Sequence, residues 1–253
     1  MTEKENKHLY ALVGKNISYS FSRGYFTEKF EKLDLEDHKY INFDIQSIHE
    51  LPQKVKENKK RLKGMNVTIP YKLEVFNFLD RIDKKALKVG AVNTIKISKK
   101  GRLKGYNTDV YGFKKSLKPL LKKNHKKALI LGTGGASKAV AFVFETLEIK
   151  YKQVSRTPEG KKQISYSDIT EEIMSSYHLI VNCTPLGTYP NIENCPDIPY
   201  EFISSKHLLY DLIYNPTETT FLKKGKEKGA TIKNGLEMLE LQAEKAWEIW
   251  NED

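Results

Sequence analysis

The run Ala128-Leu129-Ile130-Leu131-Gly132-Thr133-Gly134-Gly135-Ala136-Ser137-Lys138 constrains the fold of this chain more than any other segment. An apolar strand pattern ends on a glycine, two more glycines follow, and a helical pattern takes over. Glycines let a strand end turn sharply while its backbone approaches a ligand. The next helix then offers unpaired N–H groups and the positive end of its dipole. Strand, glycine turn and helix in that order fit a pyrophosphate seated on a helix N-terminus. The third glycine of the generic GxGxxG pattern is Ser137 here, so the spacing alone is weak. Its context carries the reading: a buried strand before, a helix after, and a second strand about twenty residues on. An ordinary strand-to-helix turn is the alternative, and glycine at 132, 134 and 135 together counts against it.

The end of that second strand chooses between nicotinamide cofactors. An acid there holds the ribose 2′-hydroxyl of NAD. This chain has Ser155-Arg156-Thr157 instead. An arginine pairs with a 2′-phosphate that an acid would repel, and it stacks on adenine. The expected cofactor is therefore NADP, held by Gly132, Gly134, Gly135, Ala136, Ser155, Arg156 and Thr157, with charge added by Lys161 or Lys162. A solvated surface arginine is the competing explanation for Arg156 taken alone.

Elsewhere, strand-like and helix-like runs alternate. Tyr10–Gly14, Tyr40–Ile45 and Gly64–Ile69 read as buried strands. Phe26, Phe30 and Leu33 recur at helical spacing between the first two, and Val75, Leu79 and Ile82 do so after the third. Val92–Ser98 and Arg102–Asn107 flank a Lys99-Lys100-Gly101 turn and read as a hairpin. After a helix marked by Val110, Phe113, Leu117 and Leu121, strands are expected at Lys127–Leu131, Lys152–Ser155, Leu179–Thr184, Leu208–Tyr214 and Ala230–Lys233. The chain ends in an amphipathic helix, Leu236–Trp250. Such alternation predicts an α/β fold with a parallel sheet and crossover helices.

Composition removes other classes. The 253 residues are 39% hydrophobic and 11% aromatic, enough for a sizeable core. Two cysteines, Cys183 and Cys195, are too few for a disulfide framework and match no zinc pattern. No apolar run is long enough for a bilayer, and the opening MTEKENKHLY lacks the apolar centre of a secretory signal. These features predict a cytoplasmic protein with no membrane partner. The formal net charge of +11 raises the question of nucleic acid. Its lysines are scattered over helix faces and loops, and no nucleic-acid module is present, so no nucleic-acid partner is expected.

Several polar residues sit where strands end. Ser20 and Ser22 precede a helix; a serine N-cap and a pair of hydroxyls gripping one carboxylate explain Ser22 equally well. In Asn66–Lys72, Pro70 fits a first helical position and places Lys72 in the first turn. There the macrodipole opposes a cation, lowering its pKa and suiting it to proton transfer. Asn93-Thr94 lies in a hairpin strand. Asp109 opens a helix, where an acid needs no function but stays ionised. Gln242 lies on an apolar stripe with Met238, Ala246 and Ile249. A satisfied core amide is slightly favoured there over a ligand contact.

At this point the segments fall into a known pattern. Ser20-Phe21-Ser22, NVTIPYK (Asn66–Lys72), GAVNT (Gly90–Thr94), YNTD (Tyr106–Asp109), LGTGGASKA (Leu131–Ala139), SRT (Ser155–Thr157), NCTPLGT (Asn182–Thr188), DLIYNPTETTFL (Asp211–Leu222) and NGLEMLELQA (Asn234–Ala243) together resemble the shikimate dehydrogenase family. The resemblance implies two domains, an N-terminal α/β substrate domain and a doubly wound Rossmann-type NADP domain. The first would span 1–109 and be completed by the C-terminal helix 236–253; the second would span 110–235. The resemblance also implies roles: Lys72 and Asp109 as catalytic pair; Ser20 and Ser22 on the substrate carboxylate; Thr68, Asn93, Asp109 and Gln242 on ring hydroxyls; Tyr214 lining the pocket. Asn182 and Thr184 would lie near the cofactor and Gly235 near the nicotinamide. The implied activity is NADPH-dependent reversible reduction of 3-dehydroshikimate to shikimate, without a metal, by a monomer or homodimer.

Four residues depart from the family pattern. Tyr19 stands for the usual histidine, Arg23 for proline, Ser155 for asparagine and Thr188 for methionine. The first two flank the carboxylate site and bear on substrate preference. The readings to be weighed against the implied one are a quinate/shikimate dehydrogenase of broader specificity and a catalytically silent NADP-binding regulator.

Overall fold

The computed structural model describes residues 7–18 and 20–252, so Tyr19 lies outside the described residues. The chain divides into two compact units: residues 1–108 with 243–253, and residues 109–242. The division places Asp109 and Gln242 in the second unit and splits the last helix between the two, whereas the sequence put Asp109 and that whole helix in the first.

In the first unit, β1 (His8–Gly14), β2 (His38–Asp44) and β3 (Leu62–Val67) pair in parallel. β5 (Thr94–Ile97) and β6 (Leu103–Tyr106) form the expected antiparallel hairpin, and β4 (Arg81–Ile82) closes the edge, giving the order β2-β1-β3-β5-β6-β4. Helices α1 (Phe21–Lys32), α2 (Leu51–Glu57) and α3 (Lys84–Val89) connect the strands. The two-residue period of β1 explains why nearly all of it is apolar. Leu9, Ala11 and Val13 enter one core cluster, whereas Tyr10 and Leu12 enter another with Phe26, Phe30, Ala246 and Trp250. Trp250 seals that second face by donating its indole N–H to the Ile95 carbonyl at 3.0 Å. A Cβ at Gly64 would lie 2.3 Å from the same ring, so the strand must carry glycine there.

The helix expected from Val75, Leu79 and Ile82 is instead a five-residue 3₁₀ segment, Glu74–Phe78, followed by β4. The reason is competition for backbone groups. Asp80 N–H donates to the Leu103 carbonyl, Leu103 N–H donates to the Asp80 carboxylate, and Asp83 N–H donates to Gly105. Pairing with β6 therefore takes the chain out of a helix.

The second unit is a doubly wound parallel sheet. After α4 (Asp109–Leu117) come β7 (Lys127–Leu131), α5 (Gly135–Thr146), β8 (Lys150–Val154), β9 (Gln163–Ile164), α6 (Glu171–Ser176), β10 (Leu179–Asn182), β11 (Leu208–Asp211), α7 (Thr220–Glu227) and β12 (Thr231–Lys233). The strand order is β12-β11-β10-β7-β8-β9. Ala128 and Ile130 face one buried cluster and Leu129 and Leu131 the other, as a sheet covered on both faces requires. The order reverses between β7 and β10, so the crevice at their carboxyl ends is the switch point where such sheets bind ligands. The last helix, α8 (Leu236–Asn251), begins in this unit.

Candidate active site

In the first unit, a buried chain of polar side chains crosses the sheet. The Tyr40 phenol donates to Asn66 Oδ1 at 2.8 Å and is hydrogen-bonded to Ser22. Asn66 Nδ2 donates to Thr94 Oγ1 at 3.3 Å, and Thr94 Oγ1 donates to Asn93 Oδ1 at 3.1 Å. Asn93 Nδ2 reaches Thr108 Oγ1 at 3.0 Å, while Asn93 Oδ1 accepts the Thr108 N–H at 2.7 Å. Asn93 is thus fixed from several sides and its rotamer is set before any ligand arrives. The sequence singled out Asn93 and Ser22 but missed the support from Tyr40, Asn66 and Thr108. Only the Asn66 and Thr108 letters, inside motifs already noticed, signalled it.

Ser20, not Ser22, caps α1: its hydroxyl accepts the Ser22 N–H at 3.2 Å. Ser22 is buried inside the helix beside Tyr40. Arg23 is exposed on the first turn of α1. Thr68 follows β3; its N–H donates to the Val13 carbonyl and its own carbonyl accepts from Tyr71. Its methyl would lie 2.6 Å from a Cβ at Gly14, so glycine there lets the two segments approach.

Lys72 lies in the turn that follows, not in a helix. The 3₁₀ segment begins only at Glu74, so the helix-field argument for Lys72 does not hold. Its placement comes from pairing: the Lys72 carbonyl accepts the Val92 N–H at 2.9 Å, which sets it one residue from Asn93 in the register of that segment.

In the second unit, Asp109 is the first residue of α4 and is buried. Gly112, one turn on, allows α4 to meet α8 closely: a Cβ there would lie 2.4 Å from the Met238 carbonyl and 3.2 Å from the Gln242 Cβ. Asp109 and Gln242 therefore belong to two helices in backbone contact. Gln242 Nε2 donates to the Leu239 carbonyl at 3.0 Å, which accounts for part of the amide's demand as a core amide would.

The glycine turn has the features of an anion seat. Gly132 has φ of 102°, a region that strongly favours glycine, and its N–H bonds the Val154 carbonyl. Gly134 caps α5 with no side-chain cap, and no acidic residue stands in the first turn. A Cβ at Gly134 would meet nothing within 4 Å. The helix end is therefore open to a negative group. Ser137, where the pattern has its third glycine, is fully buried and donates to the Gly134 carbonyl at 2.6 Å, bracing the turn. Ser155-Arg156-Thr157 follows β8 directly. The Ser155 hydroxyl accepts the Thr157 N–H at 3.2 Å, and Arg156 is exposed. Lys162 pairs with Glu145 at 3.1 Å and stacks on Tyr151, which leaves the exposed Lys161 as the second cation of the expected pair.

Asn182 ends β10 and is buried. It donates to Asp211 Oδ1 at 3.0 Å and accepts the Thr184 N–H and hydroxyl at 3.0 and 2.7 Å. Asp211 also accepts the Ile213 N–H at 3.0 Å and the Thr219 hydroxyl at 2.6 Å. Burial pushes its carboxyl up from 3.8 to about 6, against the pull of those hydrogen bonds. The loops after β10 and β11 are thus tied together, with Thr184 Cγ2 3.2 Å from where a Gly132 Cβ would be. Tyr214 follows on the β11 loop and is half-buried. Gly235 is buried; a Cβ there would stand 2.1 Å from the Leu212 carbonyl, and its N–H bonds Ile213. Asp211 and Thr219 were not foreseen, because a lone Asp in an apolar run shows nothing of its partners. Thr188 is exposed, and nothing in the structure gives its difference from methionine a consequence.

Among the described residues no helix is long and apolar enough to cross a membrane.

Comparison with known proteins places these observations. The profile of the shikimate dehydrogenase substrate binding domain matches residues 12–95. The NADP(+) shikimate dehydrogenase of Methanococcus vannielii is 36% identical over 96% of this chain and 90% of its own. The crystal structure of shikimate dehydrogenase from Aquifex aeolicus superposes with a TM-score of 0.86 at 35% identity, covering 97% of this chain and 92% of that one. That of Thermus thermophilus shikimate 5-dehydrogenase, in complex with NADP(H) and shikimate, gives 0.84 at 31% identity, covering 96% and 93%.

Proposed function

This chain belongs to the shikimate dehydrogenase family, and from that premise we propose that it catalyses the reversible NADP(H)-dependent interconversion of 3-dehydroshikimate and shikimate. The observation that carries the reading is the span of the likeness, 96% of the chain, taking in both the polar segments of the first unit and the dinucleotide turn of the second. The residues present suit NADP. The uncapped start of α5 accepts a pyrophosphate at Gly134, Gly135 and Ala136. Arg156, with Lys161, Ser155 and Thr157, meets the 2′-phosphate. Asn182 and Thr184 brace the turn, and Gly235 keeps the segment beside Leu212 thin. When bound, the cofactor supplies the hydride.

This chain's residues do the rest. Ser20 and Ser22 hold the substrate carboxylate, and Thr68, Asn93, Asp109 and Gln242 its hydroxyls, with Tyr214 against the ring. Lys72 and Asp109 are the pair that moves the proton at the C3 oxygen. The ammonium donates to that oxygen as negative charge develops, and the carboxylate is its anionic partner. No catalytic metal is needed for charge stabilisation of this kind. The enzyme works in the cytoplasm as a monomer or homodimer.

The test is NADPH formation by purified protein given shikimate and NADP, with quinate and NAD as parallel controls. Reduction with only the first pair supports the reading. Faster turnover of quinate, or of NAD, overturns the assignment of substrate or of cofactor.

A further inference from the structure

At the amino ends of β1 and β2, three side chains with metal-binding atoms converge. His8 and His38 are direct partners in the parallel ladder, so both imidazoles leave the sheet on one face. Their rings stack at 4.4 Å between centroids with planes 14° apart. Asp37 lies between them, with Oδ1 2.7 Å from His38 Nδ1 and Oδ2 3.7 Å from His8 Nε2. The Asp37 carbonyl also accepts the His8 N–H at 3.0 Å, so strand pairing fixes all three backbones. One donor atom from each residue lies within 4.8 Å of the others.

This end of the sheet is opposite the one that carries Thr68 and Lys72. Seven-residue strands separate the two by on the order of 20 Å. The cluster therefore has no part in the reaction proposed above and does not rest on it.

We propose that His8, Asp37 and His38 bind one divalent transition-metal ion of the zinc, copper and nickel class, which clasps the edge strand β2 to β1.

Two imidazoles and a carboxylate select these borderline ions. Calcium and magnesium require mostly oxygen ligands. Lys7 and Lys63 also act on His8 electrostatically, and their charge opposes an ion held by field alone. Burial, then His38, then both lysines lower the His8 pKa against the opposing pull of Asp37, which favours the neutral imidazole. The hydrogen bond with His38 lowers the Asp37 pKa, which keeps the carboxylate charged.

Nitrogen ligands bind at about 2.0–2.1 Å, so the three atoms must draw together and the stacked rings must splay until the ion lies in both ring planes. His8 provides that movement, since its side chain is 38% exposed. His38, 11% exposed and packed against Phe30 and Trp247, stays in place. The positions left open on the ion face solvent and take water.

The test uses untagged, EDTA-treated protein at pH 7.5. Zinc is measured by equilibrium dialysis and copper(II) by quenching of tryptophan fluorescence. The His38 ring centre is 6.0 Å from the Trp247 ring, close enough for a bound copper ion to report. Wild type should take up one equivalent, gain thermal stability with zinc and show quenching that saturates at one equivalent. His8→Gln and Asp37→Asn should each weaken binding by at least ~10-fold, with an unchanged near-UV circular dichroism spectrum showing that the fold is kept. Binding of equal strength in wild type and both variants would place the metal elsewhere and overturn the proposal. So would no saturable binding in the wild type.

Discussion

The Asn182 amide donates to the Asp211 carboxylate at 3.0 Å, and both side chains are fully buried at the ends of adjacent parallel strands. Three neutral donors among the described residues hold Asp211, from Asn182, Ile213 and Thr219. Its charge is thus kept at the cost of desolvation, and that cost can be measured.

Because the folded carboxyl titrates at about 6 and the free one at 3.8, the native state binds the proton more tightly than the unfolded state between those values. Stability from this group is greatest below the window and falls as pH rises through it, by on the order of 3 kcal/mol. Asp211→Asn keeps an acceptor for Asn182 and Ile213, and the Thr219 hydroxyl can turn to accept from the new amide. Urea unfolding of wild type and variant should converge near pH 4 and diverge above pH 6, with the variant the more stable. A difference that does not change with pH would contradict the cause assigned to the shift.

Gly134→Ala separates binding from folding. The residue has φ of −72° and ψ of −176°, which any residue adopts, and a Cβ would meet nothing. Thermal stability should stay within about 0.5 kcal/mol. The KM for NADP should rise at least ~10-fold, because the methyl stands where the pyrophosphate approaches the helix end. An unchanged KM would remove the turn from the cofactor site.

Arg156→Ala should weaken NADP binding by roughly 10- to 100-fold, the value of a charge-assisted hydrogen bond, and leave NAD almost unaffected. Equal losses for both cofactors in fluorescence titrations would show that Arg156 does not read the 2′-phosphate.

Lys72→Ala should lower kcat by about 10²–10⁴ with only a small change in the KM for shikimate. A loss confined to KM would make Lys72 a binding residue and assign the proton to another group.

The alternation that predicted an α/β fold with a parallel sheet was legible because strand cores such as Ala128–Leu131 are apolar on both faces. The helix marked by Val75, Leu79 and Ile82 was misread, since its period says nothing of the β6 backbone that claims Asp80 and Asp83. Lys72 was singled out on a helix-field argument that the structure removes, and the lysine stands on its motif and on its pairing with Val92.

By itself the sequence determined the strand-turn-helix seat at Gly132–Ser137, the arginine that replaces an acid after β8, and the order of segments that places the chain in its family. Those are local properties: backbone freedom, charge and period belong to residues near one another in the chain. Tertiary structure alone decided that Ser20 and not Ser22 caps α1 and that Asn93 is braced by Thr108. It alone joined Asp211 to Asn182 and set His8 beside His38. Each of the last three pairs residues 15 to 30 apart in the chain. Sheet register and packing create those contacts, and a one-residue slip in the pairing would turn the same side chains to the opposite face.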